Sequence, residues 1–316
     1  VNRRLLLCLG TLPFAAAAAA QTVDELVARL AQAGSYDDAM VGDDGARTST
    51  YADYASLAAI ATAERLQKLA EHDSPVVRCY AVRALAERGE TRTLPAILRA
   101  HSADVTKVAH RSGCEVLDTT AGELMFDIAR SRLTAEELLD LAEHYVRTSS
   151  PLHAREWCLR TLRFRDGMLH AIRKLAADGD APALVALVRY GVPTDVPLLL
   201  ESLKRPDPFD DNCHFLAAEV SRDPRLLPAL AAIAPAARRR LQNDNAWRLH
   251  FWLEAITAQG SDDAAKVLAG FVDECGVTGD RRQQLLETVR SAIEAHPAPA
   301  FAELLQRLPA RDRKQG

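Results

Sequence analysis

The chain has 316 residues, of which 48% are hydrophobic, 26% charged and only 5% aromatic, with a formal net charge of −4. That is too apolar and too weakly charged for a disordered chain, and 15 Gly with 15 Pro exclude a collagen-like or low-complexity polymer. Ala and Leu dominate, which favours helices packed closely together.

Residues 1–20 (VNRRLLLCLGTLPFAAAAAA) place Arg3 and Arg4 before an apolar stretch and a run of Ala. This pattern predicts a secretory signal peptide cleaved near Ala20, and Val1 in place of Met points to a bacterial non-ATG start. The expected location is therefore periplasmic or secreted, with no membrane span after cleavage. Loss of Arg3 and Arg4 moves the net charge from −4 to about −6. A mildly acidic exported chain is a poor nucleic-acid binder.

From Thr22 onward apolar residues recur at helical spacing, and no convincing strand pattern is present. Thr22 and Glu25 form a capping box for a first helix ending at Gly34. Residues 34–50 read as a polar loop rich in Gly and Asp, completing an N-terminal segment over 21–49. A helix from Tyr51 breaks near Thr62, and Ser74-Pro75 opens the next, which runs to Gly89. Residues 105–118 read as an extended excursion because of Gly113 and scattered polar residues. Thr120–Glu123 and Thr134–Glu137 are further capping boxes, and Ser150-Pro151 opens another helix. Helices continue to about 308, followed by a basic tail over 309–316, with no long linker dividing domains.

Two helices repeat one another. Ser74-Pro75 leads into Arg78, Ala81, Arg83 and Leu85; about 77 residues on, Ser150-Pro151 leads into Arg155, Cys158, Arg160 and Leu162. That separation is near two helix-hairpin units and predicts a stacked array, because one hairpin cannot bury its own apolar face. The segment HDSPVVRCYAVRALAERGETRTLPAILRAHSAD resembles a HEAT repeat. Asp73, Val77, Arg78, Ala81, Leu85, Gly89, Leu94, Pro95 and Leu98 match the family pattern, with Asp104 at the following turn. SPVVRCYA followed by TKVAHRSGCEV is most similar to a group of secreted bacterial HEAT-like proteins of unassigned activity. The likeness is fair over 50–165 and loose beyond. It implies an all-α chain: an α-solenoid of stacked antiparallel helix pairs over 50–308, with irregular excursions near 34–50 and 105–118. It also implies a non-catalytic scaffold that holds a protein or peptide partner. Arg78, Arg83, Arg155 and Arg160 are the candidate partner-binding residues, although arginines in this position also bridge between repeats. HEAT-like repeats occur in bilin lyases too, which leaves an enzyme or pigment-handling protein with a Cys/His pocket as the alternative.

Residues with chemical potential are few. After Cys8 leaves with the signal, Cys79, Cys114, Cys158, Cys213 and Cys275 remain, an odd number without a CxxC. The Cys79–Cys114 spacing is about one repeat, which allows a disulfide; the alternative is five small buried hydrophobes. Cys213 and His214, with Asp210 and Asp211 upstream, form the best enzyme-like cluster, yet neighbouring helical residues point about 100° apart. Cys114 beside His110 and Arg111 is a second possible thiol. Asp37, Asp38, Asp43 and Asp44 do not fit a calcium loop, since Ala39 and Val41 fall at ligand positions. His72, His101, His110 and His144 lie near helix ends and make a weak case for zinc. No metal or cofactor is therefore expected. Arg238–Arg240 is the one basic run and a candidate for an anionic partner. Trp247, Phe251 and Trp252 read as core packing.

Overall fold

The computed structural model describes residues 21–43, 45–243 and 246–309. The expected signal peptide with Cys8, Asp44 and the tail beyond 309 lie outside the described residues, as does the Trp247 side chain. The described chain is predominantly helical. In order it forms α1 (Val23–Gln32), β1 (Ser35–Val41), α2 (Ser49–Ile60), α3 (Ala63–Leu69), α4 (Pro75–Glu87), α5 (Leu94–Ala100), β2 (Lys107–Gly113), β3 (Glu115–Thr120) and α6 (Ala121–Ala129). Then come α7 (Ala135–Arg147), α8 (His153–Thr161), α9 (Leu169–Ala177), α10 (Ala181–Val188), α11 (Val196–Ser202), α12 (Cys213–Ser221), α13 (Leu227–Ala232), α14 (Ala234–Asn243), α15 (His250–Thr257), α16 (Asp262–Glu274), α17 (Gly279–Ala295) and α18 (Ala302–Arg307).

The capping signals mark helix starts where the backbone needs them. Thr22 accepts the Glu25 N–H at 3.2 Å while Glu25 returns a carboxylate to the Thr22 N–H at 2.9 Å. Thr134 and Glu137 repeat the arrangement at α7. Thr62 caps α3 after the break that ends α2. Ser150 departs from expectation: α8 begins only at His153, and the Ser150 hydroxyl instead donates to the Ser102 carbonyl at 2.5 Å.

The chain divides into two compact units. Unit 1 comprises the described residues up to Glu90 together with Thr106–Ile128; unit 2 comprises Thr91–Val105 and the described residues from Ala129 onward. Here the division falls within the 72–104 segment that resembles a HEAT repeat, so α4 belongs to unit 1 and α5 to unit 2.

Unit 1 corrects the expectation of no strands. The segments 34–50 and 105–118 contribute a three-stranded sheet of order β1-β2-β3. Tyr36 of β1 lies opposite His110 of β2 in parallel, and His110 lies opposite Leu117 of β3 in an antiparallel pair. Two aspartates interrupt the alternation of β1: Asp38 is met by Arg83 and His110, while Asp37 accepts from the Ser35 hydroxyl at 2.7 Å and lies 3.6 Å from Arg111, so their polarity does not force a loop. Gly113 at φ +52° supplies the left-handed residue that lets β2 turn into β3. Strand β3 is one of the two edge strands, with Val116 and Leu117 exposed on its two faces and Glu115 and Asp118 as charges. Charges of this kind discourage edge-to-edge pairing.

In unit 2, α8, α10, α12, α15 and α17 pack in succession, each on the next. Helix α10 sits between α8, α9 and α12, so Ala181 and the run Ala183–Leu187 are all buried. Alanine in this helix keeps the neighbouring axes close.

Arginines tie several helix ends together. A helix leaves its last four carbonyls without internal partners. Arg88 donates to the Ala61 carbonyl beyond α2, and Arg189 donates to the Leu159, Arg160 and Leu162 carbonyls at the end of α8. Arg290 serves Leu305, Leu308 and Pro309 after α18 in the same way. A guanidinium suits this task because its donors fan out in one plane and its charge opposes the helix dipole.

Candidate functional sites

The densest set of polar and aromatic groups lies in unit 1. Strand alternation puts Tyr36 and Asp38 on one face of β1. Tyr80 from α4 is stacked between Tyr36 and Tyr54, at centroid distances of 4.5 and 4.7 Å. One turn further along α4, Arg83 lies over the rings of Tyr36, Tyr51 and Tyr54 at 5.2–5.8 Å. Its guanidinium donates to the Tyr36 hydroxyl at 3.0 Å, Asp38 at 3.1 Å and Glu87 at 2.7 Å. The other Asp38 oxygen meets His110 Nε2 at 3.1 Å.

The network fixes its own ionisation. Burial pushes the Tyr36, Tyr54 and Tyr80 phenols well above their usual range. The His110 hydrogen bond is the main cause holding the Asp38 carboxyl down at about 2. For Arg83 burial opposes the charge, but Tyr36 and Glu87 outweigh it and the group is held above its ordinary value. Neutral phenols around a charged guanidinium that donates through Nε and Nη1 make a clamp between β1 and α4.

The four arginines expected to meet a partner are divided between the units. Arg78 is buried and donates to the His72 and Asp73 carbonyls at 2.8 and 2.9 Å. Arg83 is the clamp just described. Arg155 pairs with Asp180, the N-cap of α10, at 2.7 Å. Arg160 is the most open of the four, with Glu156 at 4.0 Å. Three of these arginines thus hold the fold together.

The cysteines do not form the expected disulfide. All five described cysteines are free. Cys79 is sealed in the core with its Sγ 3.9 Å from the Ala121 carbonyl oxygen, whereas Cys114 is exposed at the turn between β2 and β3. The adjacent Asp43 carboxylate pushes the Cys114 thiol above its usual pKa. In alkylation of the native protein followed by peptide mapping, we expect Cys114 to be labelled and Cys79, Cys158, Cys213 and Cys275 to react only in denaturant. Equal labelling of Cys79 and Cys114 would contradict this placement.

The Cys213–His214 pair begins α12 in the interior of unit 2, and both side chains are fully buried. Burial raises the Cys213 thiol to about 12 and lowers the His214 imidazole to about 4. A thiol that stays protonated beside an imidazole that stays neutral has no activated nucleophile. Asp211, rather than the exposed Asp210, joins them, accepting the Cys213 N–H at 2.8 Å. His72, His101, His110 and His144 have separate local partners, namely the Ser74 N–H, Asp104, Asp38 and Ser102. Among the described residues no group of three or more His, Cys, Asp or Glu is placed to hold a metal ion, and no helix is long and apolar enough to cross a membrane. Trp252 is core, as expected, with its indole N–H on the Leu230 carbonyl at 3.0 Å.

In unit 2 a recess of about 540 Å³ opens between the loop before α12, the C-terminal half of α14 and the turn that follows it. Arg239, Arg240, Asn243 and Arg248 rim it, and Pro208 and Phe209 contribute apolar wall. The Arg238–Arg240 run was legible as a basic patch, but nothing local in the sequence announces that Arg248 and the Pro206–Phe209 loop meet it. Compared with known protein families, curated proteins and solved structures, the chain matches none.

Proposed function

We propose that this protein is an exported, non-catalytic HEAT-like scaffold that binds a protein or peptide partner. The reading combines the Asp-x-x-x-Val-Arg signature of 73–78 with the succession α8, α10, α12, α15 and α17, which is how a solenoid lays one helix pair on the next. The observation that carries the binding role is the open, arginine-rimmed recess of unit 2. It offers exposed hydrogen-bond donors around an apolar wall, the composition of a recognition surface.

The test is photo-cross-linking from the Asn243 position, incorporated in the full chain and exposed to the extract in which the protein resides. We expect one defined protein adduct that unlabelled protein competes away. Adducts that are absent, or that competition does not reduce, would overturn the binding role.

A further inference from the structure

We propose that the outer edge of β3 in unit 1 receives an extended, basic segment of a protein partner as an added strand. The site is separate from the recess of unit 2, so its test stands apart from the cross-link at position 243. The Ala121 N–H donates to the Thr106 carbonyl at 2.8 Å, continuing the register that sets Lys107 opposite Thr120. Bonded and non-bonded pairs alternate along an antiparallel ladder. The bonded pairs are therefore Val108 with Thr119, His110 with Leu117 and Ser112 with Glu115. The backbone N–H and C=O groups of Val116 and Asp118 point the other way, out of the sheet edge, and have no partner among the described residues.

The two edges of the sheet differ in this respect. Along β1 the Tyr80 hydroxyl takes up the Asp37 N–H and C=O, and Val41 bridges to Ala46. Along β3 residues 115–118 are all exposed, with Val116 at 65% and Leu117 at 47%. An open edge with an apolar side chain on each face is a template for strand addition. Main-chain hydrogen bonds supply the affinity and alternate side chains the selectivity.

The charges select the occupant. Glu115 and Asp118 make no ion pair among the described residues. The cations of β2 are directed elsewhere: His110 meets Asp38, Arg111 lies 3.6 Å from Asp37, and Lys107 stands opposite Thr120, beyond Asp118. Strand alternation puts Glu115 and Leu117 on one face and Val116 and Asp118 on the other. A matching strand carries Lys or Arg opposite Glu115 and Asp118, with two aliphatic residues between, a pattern that reads the same in either direction. A second copy of β3 does not supply it. In two-fold pairing centred on Val116, Leu117 faces the other copy's Glu115. Centred on Leu117, Val116 faces Asp118; centred on Asp118, the two aspartates face each other. Each register sets a carboxylate against an apolar side chain or against its like.

The experiment uses the full chain and a fluorescein-labelled peptide, Gly-Thr-Lys-Val-Val-Lys-Thr-Gly, beside a version with Glu in place of Lys. Fluorescence anisotropy should show binding of the lysine peptide and at least tenfold weaker binding of the glutamate peptide. N-methylation of alternate residues separates a strand from a loose ionic contact, because only one alternate set of N–H groups faces β3. One methylated peptide should lose binding tenfold or more and the other keep it. In the protein, Val116→Pro removes an outward N–H and spares the ladder to β2, so binding should weaken about tenfold with circular dichroism unchanged. Glu115→Lys/Asp118→Lys should reverse the preference towards the glutamate peptide. No binding of the lysine peptide, equal tolerance of both methylated sets, or an unchanged preference in the charge-reversed variant would each overturn the proposal. Self-association of the parent chain that Val116→Pro abolishes would also overturn it, by making a second copy the occupant.

Discussion

Tyr80→Phe is expected to cost about 2–4 kcal/mol of stability in unit 1. Tyr80 is fully buried, and its hydroxyl performs two tasks on one residue of β1. It accepts the Asp37 N–H at 2.8 Å and donates to the Asp37 carbonyl at 3.0 Å. The hydroxyl therefore stands in for a neighbouring strand along the free edge of β1. Phenylalanine keeps the ring between Tyr36 and Tyr54 but leaves a buried donor and a buried acceptor unpaired, each costing about 1–3 kcal/mol. Urea unfolding followed by circular dichroism reads the loss directly. A change within about 0.5 kcal/mol, the range of an ordinary surface substitution, would show that the hydroxyl does not hold β1.

A second effect of similar size is expected from pH. The His214 imidazole is fully buried and is held near pKa 4. Burial is the main cause; Asp211 pulls the other way and Arg205 adds to the depression. Above about pH 6.5 the ring is neutral whether the chain is folded or not, so it contributes no slope. As pH falls from 6.5 towards 4, the unfolded chain takes up a proton that the folded chain refuses, and stability declines by about 3 kcal/mol. Below about 4 both states are protonated and the decline stops. His214→Leu should remove this slope, so the variant gains on the parent steadily as the solution is acidified. Thermal unfolding at a series of pH values measures it, and parallel curves for the two proteins would refute the assignment.

Asp38 acts in the same direction at lower pH. Its carboxyl titrates near 2 rather than 3.8, so its contribution is complete above 3.8 and disappears on approach to 2. With the side chain about a third exposed, solvent screening limits the effect to about 1 kcal/mol. Acid should therefore weaken unit 2 before unit 1.

Much of the helical content was legible because its determinants are local. Thr22 with Glu25, Thr134 with Glu137, and Thr62 after a break act within a single turn, and the structure uses each as a helix start. The sheet was not legible. The polarity of Asp37 and Asp38 argues for a loop, and the cations that face it, Arg83 and His110 on Asp38 and Arg111 near Asp37, come from far along the chain. The same distance in sequence hides the partners of the arginines. Their residue type and spacing fit a binding row, but Arg78, Arg83 and Arg155 are engaged by carbonyls and carboxylates that only tertiary structure brings near. Arg239 and Arg240 were visible as a basic run, whereas the recess they rim depends on Arg248 and a proline-rich loop folding against them.

The path of the chain between the units sets limits on dissection and on synthesis. It crosses from one to the other at 90/91, returns at 105/106 and leaves again at 128/129. No single cut yields both units whole. A fragment ending at residue 90 lacks β2 and β3 and leaves one edge of β1 without its parallel neighbour, while a fragment starting at 129 lacks α5. On the ribosome, β1 emerges long before the strand that completes it, because parallel pairing to residues 109–113 must wait for the intervening helices. Unit 2 begins with residues 91–105 before unit 1 has closed. An excised recess domain would therefore need Thr91–Val105 rejoined to Ala129 in place of the 106–128 return, rather than a simple truncation.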